Sequence, residues 1–249
     1  MSESASNYQD YSVAGYVADN LYENVKPSES YKNEVLNELS LPPGAFVLDM
    51  SSGVGNEARQ IKQKFGAKVF ETDLSPVAYS SGSSVDRNFT ISRVEHQPFA
   101  DGSFDLVHSK DFAPHLADLS PLFKEAYRLI KDDGKFLLTS HIGNEFDSLP
   151  FFSFDVKQDG KLIHSGIYQM QKSDLPYPET VKLLREQLLP NEELYVRSPM
   201  FLRNEYEIES VAQTVGFEKE NEFFWTPNQE EQNWNHNPRV VFIFKKLKK

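Results

Sequence analysis

Residues 47–56 read Val47-Leu48-Asp49-Met50-Ser51-Ser52-Gly53-Val54-Gly55-Asn56. The run that leads in, Ala45-Phe46-Val47-Leu48, is apolar and too short for a helix. It reads as a strand buried on both faces, the habit of a parallel sheet. The strand ends at an acid, Asp49. A loop with two glycines then leads into a helix predicted over Asn56 to Phe65, with Ala58, Ile61 and Phe65 inward and Gly66 as its C-terminal cap. Glycine permits a tight turn and close approach of backbone to a ligand. The carboxyl end of the first strand is also where open α/β sheets bind ligands. Lys68 to Thr72 reads as the second strand, and Asp73 follows at its end. An acid about twenty residues beyond such glycines can accept both hydroxyls of a ribose. Loop and acid together describe a nucleoside site.

The same rhythm continues outward. Ser75-Pro76 places a capping residue before a proline suited to a first helical turn. Phe89 to Val94 and Phe104 to Ser109 read as strands three and four. Ser120-Pro121 opens an amphipathic helix with Leu122, Phe123, Ala126, Leu129 and Ile130 inward. Asp132-Asp133-Gly134 ends that helix, and Lys135 to His141 is the fifth strand. Strands alternating with helices argue for an α/β fold with a mostly parallel sheet. On the N-terminal side, Val13 to Asn24 and Ser30 to Leu39 read as two helices, a helical cap over residues 1–40, stopped by Pro42-Pro43-Gly44. The rhythm breaks from Gly143 to Arg203. There Phe151 to Gln158, Asp159-Gly160 and Lys161 to Gln169 read as a β-hairpin, and Pro178 to Leu188 as a helix: an insertion on the rim of the sheet. Glu205 to Val215, capped by Gly216, is a helix. Phe217 to Trp225 and Arg239 to Lys246 are the last two strands. The expected organisation is one domain over residues 1–249, with the insertion as a substrate cap.

Composition narrows the function. The chain has 249 residues, 39% hydrophobic and 25% charged, with no cysteine. That excludes a disulfide framework, a Cys nucleophile, an iron–sulfur cluster and Cys-ligated zinc. The six histidines lack metal-ligand spacing, so no metal is expected. Lys and Arg total 26 against 37 Asp and Glu, a net charge of -11. Such a surface repels phosphate backbones and anionic lipid, so neither nucleic acid nor a membrane is an expected partner. The polar start, Met1 to Asp10, lacks the marks of a signal peptide, and no apolar run approaches the ~18 residues of a membrane span. The expectation is a cytoplasmic protein, monomer or homodimer.

The glycines alone leave the nucleoside open. Ala58 is a permitted stand-in for the third glycine of a dinucleotide fingerprint, whereas a P-loop is excluded because no Gly-Lys-Ser/Thr follows. Four blocks narrow the choice: Val47 to Asn56, Val69 to Pro76, Pro98 to Val107 and Arg128 to Phe136. In this order they resemble the class I S-adenosylmethionine-dependent methyltransferases of the broad small-molecule type. The resemblance implies a Rossmann-like α/β fold, a seven-stranded sheet with helices on both faces and Arg239 to Lys246 as its one antiparallel strand. It implies S-adenosyl-L-methionine as cofactor. Asp49, Ser51, Gly53 and Gly55 would lie around its methionine part, Asp73 on the ribose hydroxyls and Leu74 on an adenine face. Arg93 and Val94 would flank the adenine edge, with Glu95 as a substitute acceptor, and Ser109 and Lys110 would lie near the sulfonium. The family usually has glycine in place of Ser51, a change that costs little at negative φ. It often has aspartate in place of Arg93, which has no acceptor.

Methyl transfer is an in-line displacement that depends mostly on alignment. A base helps where the acceptor is a hydroxyl, and histidine suits that role. His115, after strand four, and His141, ending strand five, are the candidate bases. His108 reads as structural; Asp111 is a further candidate base, read in preference as a solvated loop acid. Tyr8, Tyr11, Tyr16, Phe151, Phe152, Phe154 and Tyr168 either wall an acceptor pocket or form the insertion's own core. The leading expectation is methylation of a small organic acceptor. The alternative, suggested by Ser51 and Arg93, is a lapsed enzyme that keeps the fold to bind a partner.

Overall fold

The computed structural model describes residues 27–75, 78–79, 87–143, 151–170, 177–196, 200–227 and 238–247. Seven strands form one sheet: β1 (Phe46–Met50), β2 (Lys68–Asp73), β3 (Phe89–Ile91), β4 (Phe104–Lys110), β5 (Ile130–His141), β9 (Phe217–Trp225) and β10 (Arg239–Lys246), in the order β3-β2-β1-β4-β5-β10-β9. β10 runs antiparallel to both neighbours, and β1 to β5 pair in parallel. β10 is therefore the one reversed strand, as the resemblance implies.

Side-chain alternation along the strands supplies two cores, one on each face of the sheet. Leu48, Val107, Leu138 and Phe242 point to the face covered by α2 (Ser120–Leu129) and α4 (Glu205–Val215). Their neighbours Val47, Leu106, Leu137 and Val241 point to the face covered by α1 (Asn56–Phe65) and the helical segment Tyr31–Glu38. α1 ends where the sequence predicts, at Gly66 with φ 62. α4 opens on a reciprocal cap: the Asn204 side chain accepts from the Glu207 N–H, and the Glu207 carboxylate accepts from the Asn204 N–H.

The second sheet lies outside this frame. β6 (Phe151–Gln158) and β7 (Lys161–Gln169) form the predicted hairpin, with Asp159 and Gly160 at positive φ in its turn. β8 (Glu192–Val196) adds to the free side of β6 and was not predicted; its short run carries little alternation. The inserted helix is α3 (Tyr177–Glu186). Phe152 is fully buried among Phe154, Tyr168, Met170, Leu184 and Leu194. These aromatics close the insertion's own core, so of the two expectations for Phe152, Phe154 and Tyr168 the pocket wall is the one corrected. The insertion leaves the main sheet beside a bridge between Ile142 and Arg203.

Other differences are local. The segment expected as an ordinary helix over Ser30 to Leu39 winds as a wide turn over Tyr31–Val35 and a tight one over Leu36–Glu38. Its buried Tyr31, Val35 and Leu36 still face the sheet. β3 stops at Ile91 rather than Val94. The α2-to-β5 junction at Asp132-Asp133-Gly134 is a bulged start of β5, with Asp133 at φ 62. The helix expected over Val13 to Asn24, and Tyr8, Tyr11 and Tyr16, lie outside the described residues. Among the described residues no helix is long and apolar enough to cross a membrane.

Ser51 departs from expectation in backbone. It sits at φ 62, in the left-handed region, not at negative φ. An L-residue there costs about 1–2 kcal/mol, while glycine adopts the conformation freely at a smaller entropic cost. Ser51→Gly should therefore stabilise the protein by about 1 kcal/mol, seen as a rise of roughly 2–4 °C in the thermal midpoint of a chain this size. An unchanged or lower midpoint would show that the serine side chain offsets the strain.

Candidate functional site

The carboxyl ends of β1, β2 and β4 converge on the Ser51–Gly55 loop. Parallel pairing sets Asp49 of β1 opposite Glu71 of β2 on one side and His108 of β4 on the other. The loop is held by its own backbone and by Asp73. Ser52 N–H donates to the Thr72 carbonyl at 3.0 Å and Gly55 N–H to the Ser52 carbonyl at 2.9 Å. Asp73 Oδ2 accepts from Gly53 N–H at 3.0 Å, and Oδ1 accepts from Ser75 N–H at 2.9 Å. Burial raises the Asp73 carboxyl, against the pull of these backbone donors. Asp73 is thus already a staple between the glycine loop and the turn after β2, a role the sequence does not disclose. Each of its oxygens keeps lone-pair capacity for a further donor.

Beneath the loop lies a buried ion pair. Arg87 reaches in from the start of β3 and donates from Nε and Nη2 to Glu71 Oε2, at 2.9 and 2.6 Å. The same guanidinium donates to the Gly53 carbonyl at 2.8 Å and to the Ala78 carbonyl at 2.8 Å. The Glu71 and Arg87 side chains are 6% and 1% exposed. Gly55, at φ 75, rests against this pair.

A second set of groups gathers at the ends of β4, β5 and β10. Lys110 Nζ lies 3.2 Å from Glu57 Oε1 and 3.1 Å from Asp111 Oδ2, and Arg239 Nε donates to Asp111 Oδ1 at 2.8 Å. His141 Nε2 stands 3.7 Å from Asp111 Oδ1. Burial opposes the charge on Asp111, but Lys110, Arg239 and His141 outweigh it and hold the carboxyl well below the usual carboxylate range. Burial likewise opposes the Lys110 ammonium, and Asp111 and Glu57 overcome it and raise its pKa. Asp111 is therefore no solvated loop acid. It is the hub of an ion cluster at φ 56, with its N–H donated to the Thr139 carbonyl.

Of the two candidate bases, His141 is buried at the end of β5 and His115 half-buried in the single helical turn Ala113–His115. Burial pushes His141 down to about 4, with Arg239, His115 and Lys110 adding to the effect and Asp111 opposing it. His141 is neutral at pH 7 and a weak base. A histidine depressed in the fold binds fewer protons than in the unfolded chain between these two pKa values, so stability falls as pH drops from about 6.5 to about 4, by about 3 kcal/mol. Urea unfolding at both ends of that window should show the loss in the wild-type protein. It should be much smaller in His141→Asn, and an equal loss in the variant would contradict the assignment.

The remaining sequence-predicted positions fall around the same edge. Leu74 follows Asp73 and is half-buried, and Val94 is buried beyond β3. Glu95 Oε2 lies 3.5 Å from Arg93 Nε, so the acid expected to substitute at the adenine edge is also the partner of the arginine there. His108, read as structural, is buried in β4, where its ring bonds to Asp49 and to Tyr31. Asp49 stands out in the sequence, but no periodicity or spacing links it to His108 and Tyr31. A cleft of about 500 Å³ opens elsewhere, between Asp118 and the start of α4 at Asn204. Arg203 on its wall is spent on the carbonyls of Leu116, Ala117 and Phe201.

Among the described residues, four buried side-chain oxygens at the carboxyl ends of β1, β2 and β4 have no hydrogen-bond partner: Asp49 Oδ2, Thr72 Oγ1, Ser75 Oγ and Ser109 Oγ. Buried polar atoms are nearly always paired, and this one acceptor and these three hydroxyls stand at the ends of three adjacent strands. A sequence profile described as a methyltransferase domain matches residues 48–138, the span from β1 to β5 that holds these strand ends. Residues 48–138 thus carry a methyltransferase domain, as the four blocks of sequence lead one to expect. It is 26% identical over 155 residues to phosphoethanolamine N-methyltransferase 3 of Arabidopsis thaliana, covering 59% of this chain and 32% of that one. It is 32% identical over 107 residues to sarcosine/dimethylglycine N-methyltransferase of Halorhodospira halochloris, covering 40% and 38%. The chain thus spans about a third of the length of these relatives. Among solved structures, a methyltransferase of Bacillus halodurans superposes with a TM-score of 0.59 at 15% identity, over 88% of this chain and 100% of that one. The phosphoethanolamine N-methyltransferase 2 of Haemonchus contortus, solved with S-adenosyl-L-methionine, superposes with a TM-score of 0.55 at 18% identity, over 89% and 53%. At these identities the structures support the methyltransferase fold and no finer property.

Proposed function

We propose that the chain binds S-adenosyl-L-methionine and transfers its methyl group to a small organic acceptor. The observation that carries this reading is the set of unpartnered buried oxygens around the glycine loop. Their chemistry fits the cofactor: a carboxylate oxygen for an ammonium, and hydroxyls for a carboxylate or a ribose. When bound, the cofactor supplies an electrophilic methyl on a cationic sulfonium.

The chain's own residues then bind and align. Asp49 Oδ2 is the open acceptor at the glycine loop, Gly53 keeps the backbone free of a side chain there, and Gly55 lets the loop close on the Glu71–Arg87 pair. Asp73 offers its spare lone pairs to the ribose, Leu74 and Val94 offer apolar contact to the base, and Ser109 and Lys110 line the end of β4. Lys110, Asp111 and Arg239 form a fixed charge frame, and an environment set before the reaction lowers reorganisation. His141, neutral at pH 7, accepts a hydrogen bond but holds a proton poorly. His115 is the better-exposed of the two histidines. The described strands of the rim insertion, β6 to β8, supply a cap on the acceptor side in this reading. Relatives named for phosphoethanolamine, sarcosine and dimethylglycine support an acceptor of small-molecule size.

Titration calorimetry with S-adenosyl-L-methionine and its demethylated product, S-adenosylhomocysteine, tests the reading. Saturable binding of both is expected. Absence of binding at millimolar concentration would end it and leave the non-catalytic alternative.

A further inference from the structure

Across the sheet from the glycine loop, three buried residues form a continuous relay. The Asp49 carboxylate accepts through Oδ1 from His108 Nδ1 at 2.6 Å, and His108 Nε2 bonds the Tyr31 hydroxyl at 2.8 Å. That hydroxyl also bonds Thr139 Oγ1 at 3.1 Å. Asp49 is 2% exposed and Tyr31, His108 and Thr139 are 0% exposed. Burial raises the Tyr31 hydroxyl well above its ordinary range, so it is a neutral phenol. It also raises the Asp49 carboxyl, against the pull of His108. The Tyr31 ring is wedged edge-on against Trp225, at 5.1 Å between centroids.

The relay is satisfied at every point but one. Both His108 nitrogens are used, the Tyr31 hydroxyl has two partners and Asp49 Oδ1 is taken. Asp49 Oδ2 is buried and unbonded. A network present only to satisfy its own members gains nothing from an orphaned acid oxygen, because a half-satisfied buried charge is less stable than an apolar core. The arrangement makes sense if the orphan is completed by a ligand.

We infer that His108, backed by Tyr31, is a positioning residue for the cofactor: it engages Asp49 Oδ1 from inside the sheet and so presents Oδ2 as the acceptor at the glycine loop. The inference rests on the methyltransferase reading above. Neither Tyr31 nor His108 touches the ligand; both act through the orientation of Asp49.

Two amides separate this role from packing. Asparagine places its nitrogen where His108 has Nδ1 and can keep the bond to Asp49, whereas glutamine reaches the Nε2 position and keeps only the bond to Tyr31. Titration calorimetry with S-adenosylhomocysteine on wild type, His108→Asn and His108→Gln should give affinity within roughly 3-fold of wild type for asparagine. For glutamine it should give a loss of about 10-fold or more, the effect of a hydrogen bond to a charged group. The ligand-free thermal midpoints of the two variants should fall together. Equal affinity for both variants overturns the inference alone. Failure of the wild-type protein to bind overturns the methyltransferase reading, and the inference with it. The second measurement needs no variant. In wild-type protein with ¹⁵N-labelled histidine, the ring signal of His108 should shift on saturation with S-adenosylhomocysteine while that of exposed His164 stays. A His108 signal that does not move on saturation overturns the inference even if both variants fail to fold.

Discussion

Arg87→Met should destabilise the protein by about 3–5 kcal/mol, the usual result of removing one partner from a buried ion pair. The substitution leaves the Glu71 carboxylate, 6% exposed, with neither Arg87 hydrogen bond. It also removes the donor to the Gly53 carbonyl, so the glycine loop loses its tie to β3 along with its counter-charge. The Arg87 guanidinium also stands over the Phe89 ring, at 4.9 Å to the centroid, and methionine offers that ring an apolar, polarisable side chain in its place. The effect should therefore be electrostatic. Urea unfolding checks the magnitude, and the double variant Glu71→Gln with Arg87→Met checks the cause. If an uncompensated charge is the penalty, the double variant should be more stable than Arg87→Met alone. A single-variant loss below about 1 kcal/mol would place the pair among those of negligible worth.

Gly55→Ala should have a comparable effect for a steric reason. A Cβ at Gly55 would lie 2.3 Å from Glu71 Oε2 and 2.9 Å from Arg87 Nε, and the residue sits at φ 75. Both obstacles belong to a buried pair fixed by five hydrogen bonds from Arg87, so neither can swing away at low cost. Left-handed strain of about 1–2 kcal/mol adds to the displacement of the pair, for a total of roughly 3 kcal/mol. The loop should also lose affinity for S-adenosylhomocysteine, because the Arg87 bond to the Gly53 carbonyl moves with the guanidinium. Chemical unfolding and calorimetry on one preparation read both. A loss near zero would mean that the loop can shift without disturbing the ion pair. By contrast, Gly66 at φ 62 has open space where a Cβ would stand. Alanine there should cost only the conformational part.

Much of the architecture was readable because it rests on local chemistry. Short apolar runs between turn residues marked the strands. The 3.6-residue period marked α1, α2 and α4, and Asp159-Gly160 marked the hairpin. α4, β6, β7, β9 and β10 lie where the sequence places them. β8 escaped because its five residues pair only once the hairpin offers an edge. The glycine turn and its flanking acids, on which the proposed site rests, were readable from Asp49, Gly53, Gly55 and Asp73. The behaviour of those residues was not: Ser51 takes a left-handed backbone, and Asp73 is already bonded to the loop it follows.

Residue order alone specified the strands and helices, the glycine turn and the acid after β2, because each depends on neighbours within one or two turns of chain. Folding in three dimensions selected the partners. His108 meets Asp49 across 59 positions and Tyr31 across 77, Arg87 finds Glu71, and Asp111 gathers Lys110, Arg239 and His141. Parallel strand register and burial bring these groups together. In a medium that solvates charge poorly, each is held by whichever complementary group the packing delivers, a choice that leaves no periodic trace along the chain.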